Sequence, residues 1–90
     1  RKGLRLMPGN PQASFYLADI NYRRGNFDAA RKYLMDVVRA ENAPAEVLWL
    51  SLRTERRLGN RIAEESLAAR LRRKYPESQE YQQMLKGNFE

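Results

Sequence analysis

One phrase occurs twice in this chain, and the interval between its copies constrains the fold more than any single residue. Arg23-Arg24-Gly25-Asn26 returns as Arg57-Leu58-Gly59-Asn60, thirty-four residues later. At the same shift Ala29 maps onto Ala63 and Arg39 onto Arg73, and Pro8 stands two periods before Pro76. A period of about 34 residues marks a helix-turn-helix unit that cannot bury its apolar face alone and does so by stacking on its neighbours. A stack of such units works by holding a partner, not by making or breaking bonds.

The punctuation fits that unit. Asn10-Pro11 predicts a helix start, because Asn satisfies orphan N–H groups and Pro suits the first helical position. Phe15, Tyr16, Leu17 and Ile20 give helical spacing from Gln12 to Arg24. Gly25 is expected to end that helix in the left-handed conformation, with Asn26 capping a second helix that reaches about Glu41. Phe27, Ala30, Leu34, Val37 and Val38 form its apolar stripe. Asn42-Ala43-Pro44 breaks the chain, and Val47, Leu48, Leu52 and Leu58 supply the next helix, ended by Gly59. Asn60 is expected to cap a fourth helix running to Tyr75, with Ala63, Leu67, Ala68, Leu71 and Tyr75 inward. Pro76 stops it, and Ser78 caps a short last helix ending near Gly87. Ala18, Ala29, Ala30, Ala63 and Ala68 let paired helices approach closely. No sustained period-two alternation competes.

Composition closes off whole classes of chemistry. The chain has no cysteine and no histidine, so zinc, haem and Cys–His nucleophile sites have no residues to use. No nucleophile–base pair is evident, so the expectation is a non-enzyme without cofactor or metal. No apolar run approaches the roughly 18 residues needed to span a bilayer. The net charge of +6 admits acidic partners without selecting one.

The pattern resembles the tetratricopeptide repeat. Consensus places fall on Leu17, Ala18, Gly25, Phe27, Ala30, Leu34 and Val37, then on Leu48, Leu52, Gly59, Ala68, Leu71 and Pro76. Asn21 and Glu55 depart from it at a usual aromatic position, as do Arg61 and Glu64 where an aromatic and a small residue are expected. Asn42 replaces the closing proline, with Pro44 two residues late. The resemblance implies an all-α solenoid of stacked antiparallel helix pairs in a right-handed superhelix, truncated at the N-terminus. Residues 1–9 would end a preceding repeat, with Leu4 in its helix and Pro8 closing it. Residues 11–44 form one repeat, 45–77 a degenerate one, and 78–90 a capping helix and tail in which Tyr75, Tyr81 and Phe89 seal the end.

A narrower likeness lies in residues 45–90. Leu48-Trp49-Leu50, Arg53, Glu55-Arg56, Leu58-Gly59-Asn60-Arg61 and Ala63-Glu64 come in order. Leu71-Arg72-Arg73-Lys74-Tyr75-Pro76, Ser78, Glu80-Tyr81-Gln82 and Gly87-Asn88-Phe89-Glu90 follow. This series resembles the C-terminal end of the PilF/PilW-type family of type IV pilus biogenesis and stability lipoproteins, which are pilotin-like. The resemblance implies a role in localising or assembling the secretin pore and in pilus stability. It also implies residence on the periplasmic side of the outer membrane of a Gram-negative bacterium, through a lipid anchor upstream of this chain.

In such arrays the first helix of each repeat lines the concave groove. That mapping gives Gln12, Phe15, Asp19, Tyr22 and Arg23 from one repeat, and Glu46, Trp49, Arg53, Arg56 and Arg57 from the next. Trp49, Arg53, Arg56 and Arg57 share one helix face, and an aromatic beside guanidinium groups suits an acidic or carboxylate-bearing protein segment. The competing reading makes Trp49 partly core and the arginines a solvated face paired with Glu46 and Glu55. Glu64 and Glu65 are read as surface ion-pair partners. Arg70, Arg72, Arg73 and Lys74 complement a helix C-terminus. The expected partner is a secretin or another pilus-assembly component. A different acidic peptide is the alternative, and a nucleic-acid role is disfavoured because acidic residues intersperse with the basic ones.

Overall fold

The computed structural model describes residues 11–39 and 42–89. The expected helix tail at residues 1–8 and the Asn10 cap lie outside them. Among the described residues five helices follow one another: α1 (Pro11–Arg23), α2 (Phe27–Val38), α3 (Ala45–Leu58), α4 (Arg61–Lys74) and α5 (Gln79–Lys86). No strand occurs among the described residues, and the protein is all-α there. α1 pairs with α2 and α3 with α4, each through a tight turn. The two hairpins meet mainly through α2 against α3, and α1 and α5 also touch α3.

The turns share one construction. Gly25, Gly59 and Gly87 have φ of +84°, +82° and +79°, which only glycine adopts without strain. Each glycine N–H bonds the carbonyl three residues back, and the following asparagine N–H bonds the carbonyl five back. The latter bonds are Asn26 to Asn21 at 2.8 Å, Asn60 to Glu55 at 2.9 Å and Asn88 to Gln83 at 3.0 Å. This closure satisfies carbonyls that a helix end otherwise leaves orphaned.

Two expectations change at these turns. The side chains of Asn26 and Asn60 do not cap α2 and α4. Each reaches back instead: Asn26 Nδ2 donates to Asn21 Oδ1 at 3.4 Å and Asn60 Nδ2 to Glu55 Oε1 at 2.6 Å. Asn88 repeats the geometry, donating to Gln83 Oε1 at 2.8 Å. The departures from an aromatic at positions 21 and 55 thus supply the acceptors for the turn asparagines. α2 also ends earlier than expected, at Val38 with Arg39 as its cap. Ser78 behaves as read, its Oγ accepting from the Tyr81 N–H at 3.0 Å.

The core comprises Ala18, Ala30, Leu34, Val37, Val47, Leu48, Leu50, Leu52, Leu67 and Leu71, joined by Tyr22, Ala43 and Trp49. α3 is buried on more than one face, because α2, α4, α5 and α1 all contact it. Leu50 and Thr54 are therefore fully buried beside the expected Val47, Leu48 and Leu52. Thr54 satisfies its hydroxyl by donating to the Leu50 carbonyl at 2.7 Å. Tyr75 links the second hairpin to the inter-hairpin loop by donating to the Ala43 carbonyl.

Glu55 is the main correction to the surface-charge reading. It is buried, and its Oε2 accepts from Arg31 Nε of α2 at 2.9 Å. It bridges the two hairpins and is not a solvent-side partner of the arginines on its own helix.

Candidate functional site

α1 and α3 touch, and the expected groove residues on them fall in two places. At the N-terminal ends, Gln12, Phe15 and Glu46 line a cleft of about 390 Å³ with Tyr16, Pro44 and Val47. Tyr16 is largely exposed there. Elsewhere Tyr22, Trp49, Arg53, Arg56 and Arg57 come together, with Asp19 holding Arg23 at 3.2 Å at the margin.

The second cluster is a stack of rings and guanidinium groups. Arg53 lies with its Cζ 5.1 Å from the Tyr22 ring centroid and 5.4 Å from that of Trp49. Arg57 lies 5.7 Å from Phe27, which meets Tyr22 edge to face at 5.3 Å. Arg57 Nε also donates to the Tyr22 hydroxyl at 3.5 Å. Such contacts are worth about 0.5–1 kcal/mol when exposed and about 2 when desolvated. Burial lowers the Arg53 pKa below its ordinary value; Tyr22 and Asp19 oppose the shift and Arg23 adds to it. An arginine remains cationic through such a shift.

Tyr22 and Trp49 are both buried, so they form the floor of the cluster. The part of the chain that covers them is the turn after α5. The Phe89 ring lies 5.6 Å from Trp49 and 4.1 Å from the Arg56 Cζ. The Tyr22 hydroxyl donates to the Phe89 carbonyl at 3.3 Å. The sequence reading placed Phe89 at the sealed end of the stack; here it also reaches across the face to α1. Arg56 is tied by Glu64 Oε2 at 3.0 Å, so the ion-pair role read for Glu64 falls on this cluster. Glu46 and Glu55 do not serve the arginines: one lines the other cleft and the other faces α2.

An open cleft of about 700 Å³ lies beside Phe89, between Arg56, Arg57, Arg61 and Glu64, with Gly59 and Gly87 on its wall. Phe89 borders a second cleft of about 430 Å³ with Leu52, Ala68 and Met84. Sequence reasoning missed the contribution of Phe27 and the placement of Phe89. The signal was present: Gly25-Asn26-Phe27-Asp28 and Gly87-Asn88-Phe89-Glu90 are near copies. Of the basic run closing α4, Arg70 is committed to the fold, its Nη1 donating to the Val38 carbonyl at 2.6 Å.

No group of acidic side chains among the described residues could hold a metal ion, and no helix there is long and apolar enough to cross a membrane. What the fold and the site define is an all-α protein of paired helical hairpins with a cationic, aromatic-floored face. No family model matches the chain, and no curated protein or solved structure matches it either.

Proposed function

We propose that this chain is a non-catalytic protein-interaction scaffold of the tetratricopeptide type. In this reading α1–α2 and α3–α4 are successive repeats, the second degenerate, in a right-handed solenoid, and the α1/α3 face is the concave binding groove. One observation carries it: the first helices of the two hairpins, α1 and α3, bring aromatic and guanidinium side chains together on a single face. That face joins Tyr22, Trp49, Arg53, Arg56 and Arg57. Buried aromatics and arginines are over-represented among residues that dominate protein–protein binding energy.

The particular assignment is to a PilF/PilW-type pilus biogenesis lipoprotein that assists secretin localisation or assembly and pilus stability. Its support is the residue series in 45–90. It would act on the periplasmic side of the outer membrane, held through an upstream lipid anchor. The test is capture of secretin subunits by the lipidated full-length protein in detergent extracts. Arg53→Glu with Arg57→Glu is expected to abolish capture while the circular dichroism spectrum stays helical. Normal secretin multimers in cells lacking the gene would refute the assignment. An adaptor for some other acidic peptide shares the fold and the face, and the excess of arginine over acid there supports it equally. Loss of secretin capture from the wild-type protein, with acidic peptides still bound, would select it.

A further inference from the structure

The face described above is already occupied, by the turn that follows a short helix packed on the core through the partly buried Tyr81 and Met84. α5 has eight residues and none of them is buried. It touches only α3 among the helices that make substantial contacts. The turn beyond it places Phe89 against Trp49 and Arg56, with Tyr22 bonded to the Phe89 carbonyl. Elements with few buried apolar contacts open locally at much lower free energy than the core.

Comparison of the two hairpins explains why a separate ring is needed there. In the first, the residue after Gly25-Asn26 is Phe27, which packs on Tyr22 under Arg57. In the second, the residue after Gly59-Asn60 is Arg61, which is exposed. The Trp49–Arg56 position therefore has no aromatic from its own hairpin, and the near-copy turn Gly87-Asn88-Phe89 supplies one from outside. The surroundings favour an acid beside that ring: in the cleft next to it Arg56, Arg57 and Arg61 outnumber Glu64, and the sequence next to Phe89 is Glu90.

We propose that the Gly87–Phe89 turn is an exchangeable internal occupant of this face. The partner is a peptide segment presenting an aromatic ring next to a carboxylate, which takes the place of Phe89 between Trp49 and Arg56. This rests on the scaffold reading and names the ligand chemistry of the same face. A tethered occupant competes at an effective concentration of order millimolar, so an external segment binds with its intrinsic affinity reduced by the fraction of open chains.

The probe is a fluorescein-labelled peptide of the sequence of residues 83–90, titrated into three full chains: wild type, Phe89→Ala and Gly87→Val. The first variant removes the internal ring. The second strains the turn at its positive φ, where an added Cβ meets no atom within 4 Å. Both variants are expected to bind the peptide about tenfold or more tightly than wild type, from the open-fraction relation. A peptide with Phe→Ala is expected not to bind, and one with the terminal Glu→Lys to bind more weakly. Trp49, the only tryptophan, reports independently. Its emission should shift to the red in Phe89→Ala and return on adding peptide, with unchanged helicity at 222 nm. If one variant loses helicity, the other carries the comparison. Equal binding by all three chains, no binding by any folded variant, or Trp49 emission indifferent to Phe89→Ala would overturn the proposal. Secretin capture is scored separately. Its failure with peptide exchange intact removes the pilus assignment only, and the reverse result removes the exchangeable tail only.

Discussion

Glu55 offers the sharpest test of how the two hairpins are joined. Its side chain is 8% accessible, whereas that of Arg31 is 47% accessible. Removing the carboxylate therefore strands no fully buried cation, since Arg31 can rehydrate. It does strand the half-buried Asn60 amide, which loses its 2.6 Å acceptor. Hydrogen bonds to charged groups contribute about 1.5–3 kcal/mol, and a half-solvated ion pair about 0.2–1 kcal/mol after screening. Glu55→Ala should accordingly cost about 2–3 kcal/mol, most of it through Asn60 and the turn. Glu55→Gln keeps an acceptor for Asn60 and should cost only about 1 kcal/mol. A double-mutant cycle with Arg31→Met isolates the bridge between hairpins, and a coupling near 1 kcal/mol is expected. Urea unfolding followed at 222 nm gives each free energy, and repetition in 1 M salt should shrink the coupling as the screening length falls to about 3 Å. A coupling below about 0.3 kcal/mol, together with a neutral Glu55→Gln, would refute the claim that this carboxylate ties α2 to α3.

The turn asparagines should separate cleanly. Asn60→Ala is expected to cost about 1 kcal/mol, because its short bond reaches a buried carboxylate, while Asn26→Ala, whose bond is long and exposed, should stay within about 0.5 kcal/mol by urea titration. Gly59→Val should cost about 1–2 kcal/mol through left-handed backbone strain alone, since an added Cβ meets no atom within 4 Å. Gly59→Asn, which tolerates that conformation, should recover part of the loss in the same urea titrations.

Most of the helical layout was legible because its signals are local. Gly25, Gly59 and Gly87 end helices by a conformational property that needs no neighbour, and Ser78 caps through a hydroxyl three residues from its donor. The apolar stripe of α2 was readable as well, since only one side of that helix is buried: Ala30, Leu34 and Val37 recur at helical spacing. α3 was less readable. With several neighbours it buries Leu50, Ser51, Thr54 and Glu55 along with the expected stripe, so periodicity no longer separates inside from outside. Part of the candidate site was visible in the same local way. Trp49, Arg53, Arg56 and Arg57 fall on one face by spacing within a single helix, and Arg53 does lie over Trp49.

What the sequence alone determined, then, is the succession of helices, their turns and the side of α3 that carries the aromatic and the arginines. Each depends on residues within a turn or two of one another. Tertiary structure decided which charges are spent on the fold and which stay on the face: Glu55 goes to Arg31 across the hairpins, and Glu64 goes to Arg56. It also decided that Phe89 lies on Trp49, forty residues away in the chain. A side chain's partner at that separation is fixed by how whole helices stack, and helix stacking is set by the summed burial of many residues rather than by any local phrase.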